Sequence, residues 1–315
     1  MTDHKRIGLF LTHRDESQEA WVASASGESS RAGHELIAFW AEEGASQQSR
    51  QIAEAIWQDR VDALLILPAS LGGPAALTTQ ALSHGKAVVL LNRTANDLNP
   101  AVSWSLPRLR QDHPKILAAR VAPDEVAIGR LEAQQIRALL PQGGSVLYVQ
   151  GDTLTSAAID RTTGLEELLS GDSLLTVSRV DGGWRSDRAE EAVSRWARLV
   201  LADSSAHLDL VVSQSEVMLA GIKRALERSA VDLERPALAT ISLTGCDGHP
   251  HFKAEIDAGR IAATIEIPDR VLPAVKLCVE FWQSGTVPSN PEVKLPPTSY
   301  PSMPILAQRP ISVAA

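Results

Sequence analysis

The stretch ILAARVAPDEVAIGRLEAQQIRALLPQGGSVLYV, residues 116–149, contains two short apolar runs separated by one helix-length segment. The runs Ile116 to Val121 and Ser145 to Val149 are almost wholly apolar, as strands covered on both faces are. Between them, Pro123 suits a first helical turn, and Gly143-Gly144 suits the end of a helix before a strand. The stretch therefore predicts a strand, a helix and a second strand, an alternation that is typical of βαβ units in parallel sheets.

The same alternation extends over most of the chain. Further strands are predicted at residues 7–11, 63–67, 87–91, 174–180, 208–212 and 237–243. Helices are predicted at residues 47–58, 124–140, 156–169, 187–201 and 216–228. This rhythm predicts an α/β fold with doubly wound, Rossmann-like parallel sheets, and the length of 315 residues favours two lobes over one.

Composition excludes several classes of protein. With 44% hydrophobic and 22% charged residues, the chain can bury a core and is not a disordered sequence. The 30 Lys and Arg against 38 Asp and Glu give a net charge of -8, which offers no electrostatic reason to bind nucleic acid or an anionic membrane. Cys246 and Cys278, the two cysteines, are too few and too far apart for a disulfide scaffold or a zinc ribbon.

The motifs of common α/β enzymes are absent from the sequence. No strand is followed by G-x-G-x-x-G, and neither a P-loop nor a G-x-S-x-G elbow occurs, so we predict no cofactor, no catalytic residue and no enzyme activity. Asp247, His249 and His251 could hold a metal ion, but a structural or solvated role is favoured and no metal site is predicted. The first strand is predicted to begin at Ile7, and with so few residues ahead of it a helix-turn-helix is not expected.

Polar and aromatic residues follow several of the predicted strands. Because ligands of parallel α/β sheets bind beyond the carboxyl ends of the strands, these residues are the candidate site. They are Asp15, Trp21, Asn92, Arg93, Arg161, Trp184, Ser215 and Asp247. Amides, carboxylates and guanidinium groups satisfy hydroxyls, and an indole packs on the C–H face of a sugar ring, so the set suits a neutral polyol or sugar. For any one of these residues, a structural ion pair or strand cap explains its presence equally well.

Several motifs in a fixed order resemble the type I periplasmic binding protein superfamily. The chain is similar to its sugar-binding branch, which includes ribose- and galactose-binding proteins and the effector domains of lactose-repressor-like regulators. The resemblance covers roughly residues 5–300. The segments that carry it are VDALLILPA at 61–69, AVVLLNR at 87–93, 121–130, 157–165, 213–221, GCDG at 245–248 and GRIAATI at 259–265.

The resemblance implies two lobes joined by three crossing segments, near Val121, Glu266 and Val287, with a ligand cleft between the lobes that closes by hinge motion. The implied N-terminal lobe comprises residues 1–121 and 267–286. The C-terminal lobe comprises 122–266 and 287–300. Residues 301–315 are expected to form an extended, proline-rich tail, because prolines recur from Pro288 to Pro310.

The resemblance also implies roles for individual residues. Asn92 and Arg93 would bind ring hydroxyls from the N-terminal lobe, with Trp21 as an aromatic contact. Arg161, Trp184, Ser215 and Asp247 would close over the ligand from the other lobe, and Glu266 lies near the hinge. The family usually has Asn-Asp where this chain has Ser215-Glu216, so the identity of the sugar stays open, as does the role of Trp104.

Two cellular uses remain open at this point. The family suggests delivery of a sugar or polyol to the membrane subunits of an ABC importer, which requires export. The start, Met1 to Arg6, leads directly into a strand rather than an apolar signal region, which predicts a cytoplasmic protein unless the chain is a mature periplasmic or cell-envelope form. The alternative is a cytoplasmic sensor that acts on a signalling partner or binds a non-sugar ligand.

Overall fold

A computed structural model describes residues 4–12, 14, 16–69, 74–92, 106–290 and 292–311 of the chain. The chain forms two compact units. The first comprises Met1–Pro123 with Pro268–Leu295, and the second comprises Asp124–Ile267 with Pro296–Ala315. The chain therefore passes between the units at three places, after Pro123, Ile267 and Leu295.

The first unit contains a six-stranded sheet in the order β11-β5-β4-β3-β1-β2, and every pairing in it is parallel. Its strands are β1 (Arg6–Leu11), β2 (Glu35–Trp40), β3 (Ala63–Ile66), β4 (Ala87–Leu91), β5 (Ala118–Pro123) and β11 (Glu292–Leu295). Its helices are α1 (Glu16–Arg31), α2 (Ala45–Trp57), α3 (Pro74–Ser83), α4 (Leu106–Asp112) and α10 (Val271–Ser284).

The second unit contains a parallel four-stranded sheet in the order β7-β6-β8-β9 and a small antiparallel pair of strands, β10 and β12. The strands are β6 (Gly144–Gln150), β7 (Leu175–Asp181), β8 (Leu210–Ser213), β9 (Ser242–Thr244), β10 (Thr264–Glu266) and β12 (Thr298–Tyr300). The helices are α5 (Glu125–Leu139), α6 (Ser156–Leu169), α7 (Ser186–Val200), α8 (Leu219–Asp232), α9 (Pro250–Asp257) and α11 (Met303–Leu306). Two 3₁₀ turns, Glu216–Met218 and Pro236–Thr240, lie between them.

The apolar strands bury side chains on both faces of each sheet. In the first unit, Leu9 of β1 packs in one core cluster with α1 and α10, whereas the adjacent Phe10 packs in a second cluster with α2, α3 and α4. In the second unit, Leu147 of β6 faces α7 and α8, whereas Tyr148 faces α5 and α6. Helices on both faces explain why the strands are continuously apolar, and the predicted α/β fold with parallel sheets in two lobes is confirmed.

Helices α5 and α6 approach each other closely at two glycines. A Cβ atom on Gly129 of α5 would lie 1.8 Å from the backbone oxygen of Arg161, and one on Gly164 of α6 would lie 2.0 Å from the backbone oxygen of Val126. No side chain fits at either position. The contact brings the side of α6 that carries Arg161 against the first turn of α5.

The C-terminal region differs from the sequence-based expectation. The extended tail predicted at residues 301–315 is wrong for the described residues 301–311, because α11 forms there, Leu306 is fully buried, and the Ile311 N–H donates to the Leu139 oxygen at 2.8 Å. The third crossing follows Leu295 rather than Val287, because β11 pairs with β5 of the first unit. Residues 287–295 therefore belong to the first unit rather than to the C-terminal lobe.

Two further parts of the fold differ from the sequence analysis. The strand predicted at 237–243 is mostly the 3₁₀ turn Pro236–Thr240, and β9 starts only at Ser242. Strand β2, which the sequence analysis did not identify, lies at the edge of its sheet. No helix in the described part of the chain is both long enough and apolar enough to cross a membrane.

The close contact between α5 and α6 makes a stability prediction. Gly164→Ala places a methyl group against the Val126 carbonyl, and we expect it to lower the free energy of unfolding by about 3 kcal/mol. Gly27→Ala is the matched control, because Gly27 is exposed in the middle of α1 and the nearest atom to its Cβ lies 3.9 Å away. It should raise the free energy of unfolding by about 0.5 to 1 kcal/mol through helix propensity. Urea unfolding measures both, and equal effects of the two substitutions would contradict the close approach.

Candidate functional site

The candidate site in the second unit lies where β6, β7, β8 and β9 end. Their parallel registers bring the residues after each strand to one edge of the sheet. Gly151 follows β6, Trp184 follows β7, Ser215 follows β8 and Asp247 follows β9. Arg161 reaches the same edge from α6, since its side chain contacts the backbone of Gln214 after β8.

Arg161 is buried and is fixed by three groups. Its Nε donates to Glu125 Oε2 at 2.7 Å, and its Nη1 donates to the backbone oxygen of Gln214 and to Cys246 Sγ, the latter at 3.4 Å. Glu125, in the first turn of α5, is itself buried, so each charge depends on the other. Among the described residues, none accepts a hydrogen bond from Nη2 of Arg161.

Trp184 stands beside this guanidinium group. The Arg161 Cζ lies 5.4 Å from the centre of the indole ring, and the indole Nε1 donates to Thr155 Oγ1 at 3.2 Å. A Cβ atom on Gly151 would lie 2.0 Å from the ring, so only glycine there leaves room for the indole. Trp184 is half-buried and its backbone has a φ of 61°. These contacts hold the ring in one orientation with part of it accessible.

Ser215 and Asp247 form a second pair. The Ser215 hydroxyl donates to Asp247 Oδ2 at 2.8 Å, and the backbone N–H of Glu216 donates to the same oxygen at 3.1 Å. Ser215 is buried, whereas Asp247 is exposed. The structure therefore brings Arg161 to Trp184 and Ser215 to Asp247 at the same edge of the sheet.

A buried polar network lies behind these residues. Gln214 Oε1 accepts the Gly151 N–H at 2.8 Å, and Gln214 Nε2 donates to the Tyr148 hydroxyl at 2.7 Å. Tyr148 in turn donates to Glu132 Oε2 at 2.6 Å. Burial raises the pKa of Glu132 to about 7, although Arg161 and the Tyr148 hydrogen bond oppose this shift. The network joins the loops after β6 and β8 through side chains that do not reach solvent.

Glu216 supports the turn that contains Asp247. Its Oε1 accepts the Thr264 hydroxyl at 2.5 Å and the Gly248 N–H at 3.1 Å, and its Oε2 accepts the His249 N–H at 3.0 Å. Burial raises the pKa of this carboxyl group to about 7, and the negative charge of Asp247 adds to the shift.

Glu266, predicted near the hinge, has its side chain engaged within the second unit. Lys253 Nζ forms an ion pair with Oε1, and the Thr298 hydroxyl donates to Oε2 at 3.0 Å. Its backbone forms an isolated bridge with Asp247. Both carboxylate oxygens thus have partners inside the unit, and a direct role toward a ligand would have to compete with Lys253.

The predicted residues of the first unit are described only in part. Trp21 lies on α1, with the guanidinium group of the buried Arg270 4.7 Å from its ring centre. Asn92 follows β4 with a φ of 78°, and its backbone N–H donates to the Val121 oxygen at 3.0 Å. Its Oδ1 is buried and has no hydrogen-bond partner within the described residues. Asp15, Arg93 and Trp104 lie outside the described residues.

The sequence analysis missed several residues that shape the site. Glu125 is separated from Arg161 by 36 residues, and only the packing of α5 on α6 makes them partners. Gln214 and Arg270 were not selected either. A buried arginine requires a buried acid, so the acidic first turn of α5 was a usable signal, but it does not identify which acid.

The Asp247, His249 and His251 group is not arranged around a metal ion. His249 Nδ1 instead accepts the His251 N–H at 3.2 Å and caps α9. Within the residues that the structure describes, no group of three or more His, Cys, Asp or Glu side chains could hold a metal.

Comparison with known protein families identifies the chain. Residues 15–269 match the family described as periplasmic binding protein domain, and the chain belongs to this family. The resemblance to type I periplasmic binding proteins of the sugar-binding branch is confirmed.

Curated relatives are named for the ligands that they bind. A xylitol-binding protein of Mycolicibacterium smegmatis is 23% identical over 236 residues, which cover 72% of this chain and 59% of that protein. A ribose import binding protein of Salmonella typhimurium is 24% identical over 199 residues, which cover 60% of this chain and 62% of that protein. The matched region thus spans about three-fifths of the length of each relative.

Solved structures share the fold. One is an ABC transporter periplasmic solute binding protein of Actinobacillus succinogenes with bound D-allose. Its TM-score is 0.74 at 15% identity, and the match covers 96% of this chain and 99% of that chain. The proteins named in these comparisons are described as binding proteins rather than as enzymes.

The buried network makes a pH prediction. The pKa of Glu132 is about 7 in the folded state and near the ordinary value of about 4.5 in the unfolded chain, so the folded state binds the extra proton between these values. Stability should therefore fall as the pH rises from 5 to 8, by roughly 2 to 3 kcal/mol relative to Glu132→Gln.

Urea unfolding of the wild type and of Glu132→Gln across this pH range measures the difference. Glutamine retains an oxygen that can accept the Tyr148 hydroxyl and cannot lose a proton. Glu191→Gln, which removes a carboxyl group exposed on α7, controls for the loss of one negative charge. A constant difference between the wild type and Glu132→Gln would show that Glu132 keeps the same charge in both states.

Proposed function

We propose that this protein binds a small neutral polyol or sugar without transforming it chemically. The observation that carries the proposal is the pairing of Arg161 with Trp184 beside the Ser215–Asp247 pair at the strand ends of the second unit. The xylitol- and ribose-binding relatives support the ligand class.

The chemistry of the pairs suits hydroxyl groups. Nη2 of Arg161 supplies hydrogen-bond donors, and the exposed carboxylate of Asp247 supplies acceptors. The accessible part of the Trp184 ring offers an apolar surface for the C–H groups of a ring or extended polyol. Because each side chain is already held by protein contacts, little conformational entropy is lost when a ligand binds.

The proposal includes contributions from the first unit. Trp21, Asn92, Asp15 and Arg93 are the ligand contacts proposed there, and Glu266 is the one proposed near a crossing. The three segments that connect the units would act as a hinge when the ligand binds. An increase in compactness on saturation, measured by solution scattering, is the expected sign of closure.

Uptake through an ABC importer is the cellular role that we propose for the bound ligand. The names of the ribose import relative and of the ABC transporter structure support this role. A ligand sensor that acts on a signalling partner is the alternative, and it predicts the same binding without transport. The proposal includes no catalytic step and no cofactor.

A thermal-shift screen tests the proposed ligand class. Pentoses, hexoses, pentitols and inositols are added singly, and a ligand at one hundred times its dissociation constant should add about 2.7 kcal/mol of apparent stability. Calorimetry then gives the affinity for each hit. A protein that no member of this panel stabilises would contradict the proposed ligand class.

Asp247→Asn tests the site itself. The substitution keeps the size of the side chain but removes its charge and half of its acceptors, so we expect roughly tenfold or weaker binding of the hit from the screen, measured by calorimetry. Glu191→Gln, on the exposed face of α7, is the control and should bind as the wild type does. Equal affinities of Asp247→Asn and the control would place the ligand elsewhere.

A further inference from the structure

We propose that Glu216 is a positioning residue, whose buried carboxyl group holds the turn at residues 246–249 in the shape that presents Asp247 to the ligand. This inference rests on the proposed function, because it assigns a role to a residue behind the proposed binding site.

The turn has a backbone that needs support. Asp247 has a φ of 150° and Gly248 a φ of 76°, and a non-glycine residue rarely adopts a positive φ. A Cβ atom on Gly248 would lie 2.7 Å from the Glu266 Cα, so β10 limits the turn on one side. Such a conformation persists only where its surroundings hold it.

Glu216 supplies this support through both of its oxygens. Oε1 binds the Gly248 N–H and Oε2 binds the His249 N–H, so the two oxygens hold consecutive peptide groups. The Glu216 backbone N–H donates to Asp247 Oδ2, and its neighbour Ser215 donates to the same oxygen. One residue thus holds the backbone of the turn with its side chain and orients the Asp247 carboxylate with its main chain.

The carboxyl group makes these contacts without a basic partner. Glu216 is 2% exposed, and its partners are the two backbone N–H groups and the Thr264 hydroxyl. The titratable residues of the turn that Glu216 contacts are Cys246, Asp247 and His249, and the Glu266–Lys253 ion pair of β10 and α9 lies beyond Gly248. Burying a charge that only neutral donors hold is costly. A gain in stability therefore does not explain why a glutamate occupies this position.

Protonation of Glu216 should loosen the turn. The carboxylate accepts hydrogen bonds from three donors at once. When the group is protonated, one of its oxygens carries a hydrogen that points toward one of these donors, so that hydrogen bond is weakened. Because the pKa of Glu216 lies at about 7, this change falls within the physiological range. We therefore expect ligand affinity to be roughly three- to tenfold weaker at pH 5.5 than at pH 8.

The test combines an observation without ligand and one with ligand. In the ¹⁵N-labelled protein, the amide signals of Gly248 and His249 should titrate with a midpoint near pH 7. Calorimetry with the polyol found in the thermal-shift screen should show affinity changing over the same range. In Glu216→Gln both changes should be lost, and affinity at pH 8 should equal that of the wild type at low pH.

Thr264→Val gives a second, less disruptive variant. It keeps the carboxyl group but removes the hydroxyl that donates to it and that lowers the pKa of Glu216. Both midpoints should therefore move to higher pH, which a merely structural loss would not produce. This variant keeps the proposal testable if Glu216→Gln does not fold. Glu191→Gln is the surface control and should leave both titrations unchanged.

The outcomes separate this inference from the proposed function. Ligand binding with the same pH dependence in the wild type and Glu216→Gln would overturn the positioning role while leaving the binding function intact. Amide signals that do not titrate in the wild type would also overturn it. If no polyol binds, the proposed function fails, and amides that titrate in the wild type but not in Glu216→Gln still support the hold of Glu216 on the turn.

Discussion

The ion pair between Arg161 and Glu125 is the interaction on which the rest of the candidate site depends. Both groups are buried, so neither can exchange its partner for water, and breaking such a pair leaves an uncompensated charge. The pair forms only because Gly129 and Gly164 let α5 and α6 approach closely. Through its other bonds, Arg161 fixes the backbone after β8 and supports the Trp184 ring.

The polar side chains around this pair share one property, which is that each has at least two fixed partners. Gln214 joins the loops after β6 and β8, Ser215 joins the loops after β8 and β9, and Glu216 joins the loop after β9 to β10. These hydrogen bonds fix the side chains of the candidate site within the second unit, so the proposed binding would cost little conformational entropy there.

Much of the fold could be predicted from local pattern, because strands covered on both faces are continuously apolar. The pattern failed where this condition does not hold. Strand β2 is an edge strand that begins at the exposed Glu35, and the run at 237–243 follows Pro236, which starts a 3₁₀ turn instead. The prolines of this region lie outside β11 and β12, and Pro304 falls at the start of α11, where proline is tolerated.

For the candidate site, the rule that ligands bind at strand ends selected Arg161, Trp184, Ser215 and Asp247, which the structure places at one edge of the sheet. It could not find Glu125 or the carboxyl contacts of Glu216, because these depend on side-chain hydrogen bonds between residues that are 32 to 48 positions apart in the chain. Periodicity describes which face of an element is buried, but it does not describe which polar groups meet there.

Each unit is built from two separate stretches of the chain, so its last segments are synthesised long after its first ones. The first five strands of the first unit are synthesised before residue 124, yet α10, which covers one face of that sheet, ends at Ser284. Until then Leu9, Leu65 and Val89 have no cover from α10. The second unit likewise waits for β12 to pair with β10. The first unit can therefore complete its folding only after residue 295 has been made and the second only after residue 300, so apolar sheet surface stays exposed on the nascent chain until then.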